Sequence, residues 1–274
     1  MRFIFVARRW AIAAGVGITA LLAASFPQAA GAQTITGFEE YTVGNNGNIM
    51  FRAPNFSGST STFLETTPNQ TVISTARANT GTKSLNVNFQ FKAAQTNPFL
   101  RLTTASAPTL PNPAIDLSLA LQFALYVPAS TPDFYLTLGV RETGTVTTIG
   151  GNGGGTGAIE FVGATGLQGS APLGRLITTK DSWITVVFNL PTEPVRAFAG
   201  GNGVLNGTFG TIEGLYITPT SNANVGPYSF FLDDFRQTAA IVTAAPEPAS
   251  VALFGIGFLG MVGAATRRTA KARA

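Results

Sequence analysis

From Leu85 the chain runs Leu85-Asn86-Val87-Asn88-Phe89-Gln90-Phe91, so that every second side chain is apolar and each one between is an amide. In an extended backbone neighbouring side chains point to opposite faces, which gives this run one face for a core and one for water. Phe134 to Arg141 repeats the device. Leu117–Val127 and Trp183–Leu190 are more continuously apolar and predict strands buried more fully, while Thr211–Thr218 and Tyr228–Arg236 bring the set to at least six. Turn signals punctuate them at Thr80-Gly81, Pro111-Asn112-Pro113, Val127-Pro128 and Gly226-Pro227. Short alternating strands without long helical periodicity predict an all-β fold, an antiparallel β-sandwich over residues 33–240, with a closed barrel as its main competitor. A transmembrane barrel fits less well, because each lipid-facing row would need about ten residues with aromatic girdles and the strands here are fewer and irregular.

The two ends have a different character. Arg2, Arg8 and Arg9 precede an apolar run from Ala11 to Ala24, followed by Pro27 and the small residues Ala30-Gly31-Ala32. A basic head, an apolar stretch and an A-x-A site make residues 1–32 a signal peptide for general secretion, cut by signal peptidase between Ala32 and Gln33. At the other end, residues 249–265 are 17 uncharged residues followed by Arg267, Arg268, Lys271 and Arg273. As a helix they extend roughly 26 Å, enough for a bilayer core, and the cations behind them would stay cytoplasmic. Both ends therefore place residues 33–245 outside the cytosol.

Pro246-Glu247-Pro248, the apolar span and the pair Arg267-Arg268 stand in that order. The arrangement resembles the PEP-CTERM sorting signal of Gram-negative bacteria that make exopolysaccharide. The resemblance implies that residues 241–274 are a sorting tail read by an exosortase, with a transient inner-membrane anchor and a destination at the cell surface or in the extracellular matrix. Two prolines would keep the tripeptide extended and short of N–H donors, open to a protease. Permanent residence in the inner membrane, facing the periplasm, is the alternative.

Charge and chemistry narrow what the body does. Although the chain carries a net charge of +4, seven of its 17 cations lie in the two ends, leaving ten against twelve acids between residues 33 and 245. No basic surface for nucleic acid is implied. Cysteine and histidine are both absent. Disulfides, thiol nucleophiles, zinc sites built on those residues and imidazole acid–base chemistry are thereby removed.

Phe38-Glu39-Glu40-Tyr41, Asp181-Ser182-Trp183-Ile184-Thr185-Val186 and Phe230-Phe231-Leu232-Asp233-Asp234-Phe235 resemble segments of jelly-roll, carbohydrate-binding-type modules of the galactose-binding-like architecture. Similar jelly rolls tie first strand to last with calcium. That implies a structural calcium ion held by Glu39 and Asp233, with Asp233 on the face of Phe231 and Phe235; the alternative is a solvated edge pair beside Arg236. For sugar contact, Tyr126 and Tyr135 fall opposite the apolar rows of their strands, whereas Trp183 reads as core. Asn86, Asn88 and Gln90 offer amides to the same ligand. The glycine-rich runs Gly150–Gly155 and Gly200–Gly203 read as loops, since no Gly-Lys follows either. The expected function is a non-catalytic structural or glycan-binding module whose partner is extracellular polysaccharide. The alternative is a carboxylate-based enzyme acting on such a polymer.

Overall fold

The computed structural model describes residues 33–46, 49–104, 112–142 and 157–241. They form fifteen strands: β1 (Gln33–Thr36), β2 (Leu64–Ser74), β3 (Ser84–Phe91), β4 (Leu100–Thr103), β5 (Ala114–Asp116), β6 (Ala120–Tyr126), β7 (Phe134–Glu142), β8 (Ile159–Val162), β9 (Gly166–Gln168), β10 (Ala171–Leu173), β11 (Arg175–Ile177), β12 (Trp183–Asn189), β13 (Val195–Ala197), β14 (Phe209–Pro219) and β15 (Tyr228–Thr238). One sheet has the order β12-β6-β15-β3-β2, with β1 also on β15. The second has the order β13-β8-β7-β14-β4, with β11 on β7 and β5 on β14. The hairpin β9–β10 stands apart, touching β7 and β14 through β10. All pairings between these strands are antiparallel.

The fold is the expected antiparallel sandwich, and alternation explains its core. Leu85, Val87, Phe89 and Phe91 of the first sheet face Leu136, Leu138, Val140, Leu215 and Ile217 of the second in one continuous buried cluster. Nine phenylalanines and Tyr228 give it its rings. Phe89 stacks on Tyr228 at 4.9 Å and Phe123 on Phe235 at 4.6 Å, pairs that add to the burial of their large apolar area.

Two expectations change. Trp183–Leu190 is not buried on both faces: β12 is the edge of its sheet, with Val186 and Phe188 inward and Trp183, Thr185 and Val187 outward. Nor does Asp233 share a face with Phe235. A bulge at Asp233 and Asp234, where Asp234 takes φ +51°, reverses the alternation, so that Phe230, Leu232 and Phe235 all enter the core while Asp233 stays on the side of Phe231.

Gln33 pairs with Gln237, and the described chain ends at Ile241, whose N–H and C=O are both bonded by the Asn189 amide. The expected cleavage point and the start of the sorting tail thus emerge at one end of the sandwich. The signal helix, Ala30 and Ala32, the membrane span, Pro246, Glu247, Pro248, Arg267 and Arg268 all lie outside the described residues. Among those described, no helix is long and apolar enough to cross a membrane.

Candidate functional site

The strand β4 reads Leu100-Arg101-Leu102-Thr103, and with Leu100 and Leu102 in the core its other two side chains turn to the outer face of the second sheet. There Arg101 and Thr103 meet Phe56, Ser57, Gly58 and Ser59 of the preceding loop around a cavity of about 320 Å³. Its lining combines one aromatic ring, three hydroxyl-bearing side chains and a guanidinium. Phe56 is 48% exposed, and the guanidinium of Arg52 lies 4.5 Å from its ring centroid. The loop is held in place by short local bonds: Ser61 N–H donates to the Ser57 carbonyl at 2.9 Å, and Arg101 N–H donates to the buried Thr60 hydroxyl at 3.2 Å.

Beneath this cavity lies a buried charge cluster. Glu213 has no exposed surface and accepts from Arg101 Nη2 at 2.5 Å and from Arg141 Nε at 3.0 Å, while Asn112 Nδ2 approaches Oε2 at 3.4 Å. Arg141 also donates Nη1 to the Gly157 carbonyl at 2.7 Å. Two cations sharing one carboxylate leave the cluster net positive, and the pairing offsets the desolvation that an isolated buried charge would suffer. Among the described residues, Arg101 Nε, Thr137 Oγ1, Thr211 Oγ1 and Tyr216 Oη of this face find no hydrogen-bond partner. Burial pushes the Tyr216 hydroxyl above its ordinary value, Glu213 adds to the effect, and the two arginines oppose it. A satellite group of Phe99, Phe161, Ala164, Ala171 and Tyr216, with Phe198 against it, covers the rest of the face.

The tyrosines singled out by alternation do project outward, on opposite sheets. Tyr126 is nearly buried, with its ring centroid 5.7 Å from Trp183 and 6.0 Å from Phe231 and with Arg77 over its face at 5.1 Å. Trp183 is therefore an outer-face residue and not core. Tyr135 is half-buried, opposite Leu176 on β11 and Thr218 on β14. Two of the β3 amides are tied to their own sheet, with Asn86 Nδ2 donating to the Phe230 carbonyl and Asn88 Nδ2 to Asn86 Oδ1.

The paired acids grip one loop. Asp233, fully buried and so no solvated edge residue, accepts from the N–H groups of Asn79 and Thr80 through Oδ2 and of Asp234 through Oδ1. Asp234 takes the Asn79 amide and the Thr80 hydroxyl, each at 2.6 Å. Glu39 grips the far end, accepting from Thr82 N–H at 2.7 Å and Lys83 N–H at 2.6 Å. These amides hold Glu39 below the usual carboxylate range, whereas burial pushes Asp233 up to about 6 against the pull of the Asn79 and Thr80 amides. Glu39 and Asp233 are thus fastened to different ends of the loop, and among the described residues no three acidic, histidine or cysteine side chains are grouped to hold a metal ion. Hydrogen bonds thus tie both carboxylates to the loop of residues 79–83.

One sequence feature has an unforeseen partner. The run Gly200–Gly203 folds over Glu160, whose carboxylate accepts from Asn202 and Gly203 N–H groups. A Cβ on Gly201 would stand 2.6 Å from that carboxyl, so a side chain there would force the Glu160 carboxylate to shift. Gly150–Gly155 lies outside the described residues.

Comparison with known proteins gives two kinds of similarity. Residues 244–268 match the PEP-CTERM protein-sorting motif, which marks an exported protein sorted via the membrane. No curated protein matches the chain. Among solved structures it is similar to the CBM22-1 xylan-binding domain of Paenibacillus barcinonensis Xyn10C, at 14% identity over 78% of this chain and 97% of that one, with a TM-score of 0.35. A structure of carbohydrate-binding modules from the β-sandwich superfamily is 12% identical over 74% of this chain and 61% of its own, with a TM-score of 0.40. The C-terminal family 22 carbohydrate binding module of Clostridium thermocellum Xyn10B is also 12% identical, over 72% and 98%, with a TM-score of 0.30.

Proposed function

We propose that the chain is an exosortase-sorted protein of the cell surface or extracellular matrix whose sandwich binds glycan without cleaving it, at the cavity between the Phe56–Ser59 loop and β4. The observation that carries this reading is the lining itself. An exposed aromatic ring offers a sugar its face, while Ser57, Ser59, Thr103 and Arg101 offer hydrogen bonds to hydroxyl groups at its rim.

Glycoside cleavage by carboxylates requires two of them across one cleft, about 5 to 10 Å apart. Neither this cavity nor the one bordered by Phe161 and Phe198 has a carboxylate in its lining, and a third, beside Gln33, has Asp116 alone. The cavity proposed here to bind glycan is thus not where the enzymatic alternative would place its carboxylate pair. Each hydrogen bond exchanged with water contributes only about 0.5 to 1.5 kcal/mol, so a single site is weak and retention depends on repeated ligands or many copies.

A glycan array and a reducing-end assay on the same purified protein test the proposal. Binding without release of reducing ends, lost in Phe56→Ala, is expected. Steady release of reducing ends would establish the enzyme instead, and silence in both assays would overturn glycan binding in favour of protein partners.

A further inference from the structure

The charge around this cavity is one-sided. Arg101 lines it, Arg52 lies on the Phe56 ring at its edge, and Arg141 stands behind, joined to Arg101 through Glu213. Two guanidinium groups, those of Arg101 and Arg52, thus border the cavity, and no carboxylate is among its described lining residues, since the Glu213 shared by Arg101 and Arg141 is fully buried. Among the described residues Arg52 belongs to no ion pair. The body as a whole carries more acids than bases, so this corner departs from its surroundings in sign.

Resting on the glycan-binding reading above, we infer that the sugar taken at this cavity carries a carboxylate, as a uronic acid does. A guanidinium presents parallel N–H donors that match the two oxygens of a carboxylate, and it stays charged at any physiological pH. A partly buried cation is screened less by salt than an exposed one, so an anionic ring seated on Phe56 is favoured over the same ring without charge. Neutral sugars keep the stacking and hydroxyl contacts and lose the ionic one.

The test uses two probes with one backbone: tetragalacturonate and its fully methyl-esterified form, titrated into the purified protein by calorimetry at low and at 0.5 M salt. The acid is expected to bind about tenfold or more tightly than the ester at low salt, a gap equivalent to about 1.4 kcal/mol, and the gap should narrow in high salt. Arg52→Gln should lower affinity for the acid by more than for the ester, whose contact with the Phe56 ring it also touches; Arg52 is chosen because Arg101 is bound up with buried Glu213 and its loss endangers the fold. Equal affinity for acid and ester would overturn the carboxylate inference while leaving the glycan site standing. Failure of both probes and of every neutral glycan would overturn the glycan-binding reading itself.

Discussion

The ring of Tyr216 occupies the space that a side chain on Gly139 would fill: a Cβ there would come within 2.3 Å of Tyr216 Cε2. Tyr216 belongs to the middle of β14 and Gly139 to the neighbouring β7, so the glycine lets a large ring lie flat across the sheet. The ring is penned by Phe161 at 4.8 Å and Phe198 at 5.5 Å. It therefore has little freedom to move aside. Gly139→Ala is expected to destabilise the protein by about 1 to 3 kcal/mol through overpacking, a fall of several degrees in the melting midpoint. An unchanged midpoint would show that the aromatic cover is loose.

The Asp233 clasp makes stability depend on pH. Its folded pKa of about 6 lies above the ordinary 3.8, so between those values the native state holds a proton that the unfolded chain releases. The contribution of this group to stability is therefore largest below about 3.8, declines as pH rises toward about 6, and is flat above. Thermal melts across pH 4 to 7 should show this slope in the parent protein and not in Asp233→Asn. The variant should also be less stable at pH 7, by about 1 to 3 kcal/mol, because one oxygen that accepts an amide is gone.

Calcium is a separate question for the same corner. Glu39 and Asp233 already accept the Asn79, Thr80, Thr82 and Lys83 amides, so an ion held by them would use the lone pairs that these bonds leave. Melting midpoints in millimolar calcium and in chelator decide between the two: equal midpoints leave the hydrogen bonds as the tie. A calcium-dependent gain, about 2.7 kcal/mol at a hundredfold excess over the dissociation constant, would show that an ion is held there.

What could be read from the sequence was what is local. Strands such as β3 and β7 announce themselves by alternation, and Pro246-Glu247-Pro248 with its span and arginines is a contiguous signal. β2 was silent because it is polar and contains Pro68, which its place at the sheet edge tolerates. The direction of Asp233 was misread because parity fails at a bulge, and a left-handed aspartate gives no warning in a run of alternating residues. The cavity itself joins a loop to a four-residue strand more than forty positions away. Neither Phe56 nor Arg101 stands out alone, and a near-neutral average charge conceals the placing of Arg52 and Arg101 beside one cavity.

The sorting tail is tested by replacing Pro246-Glu247-Pro248 with alanines. Membrane insertion depends on the apolar span and should persist, while the protein should accumulate unprocessed in the inner membrane. Fractionation with a tag inserted before residue 240 reads this out. Equal release of variant and parent into the medium would mean that the tripeptide is only a linker, and retention of both would favour the permanently anchored alternative. Mass spectrometry of the released parent should find Gln33 as its first residue; dominant peptides spanning Ala32 and Gln33 would contradict the proposed cleavage.

The place of binding is decided by amide chemical shifts of the labelled protein titrated with cellotetraose and with tetragalacturonate. The amides of Gly58, Ser59, Arg101 and Thr103 should move first and saturate together, whichever sugar binds. Shifts confined to the opposite sheet, around Tyr126, Trp183 and Asn86, with the loop and β4 unmoved, would contradict the assignment of the glycan site to this cavity.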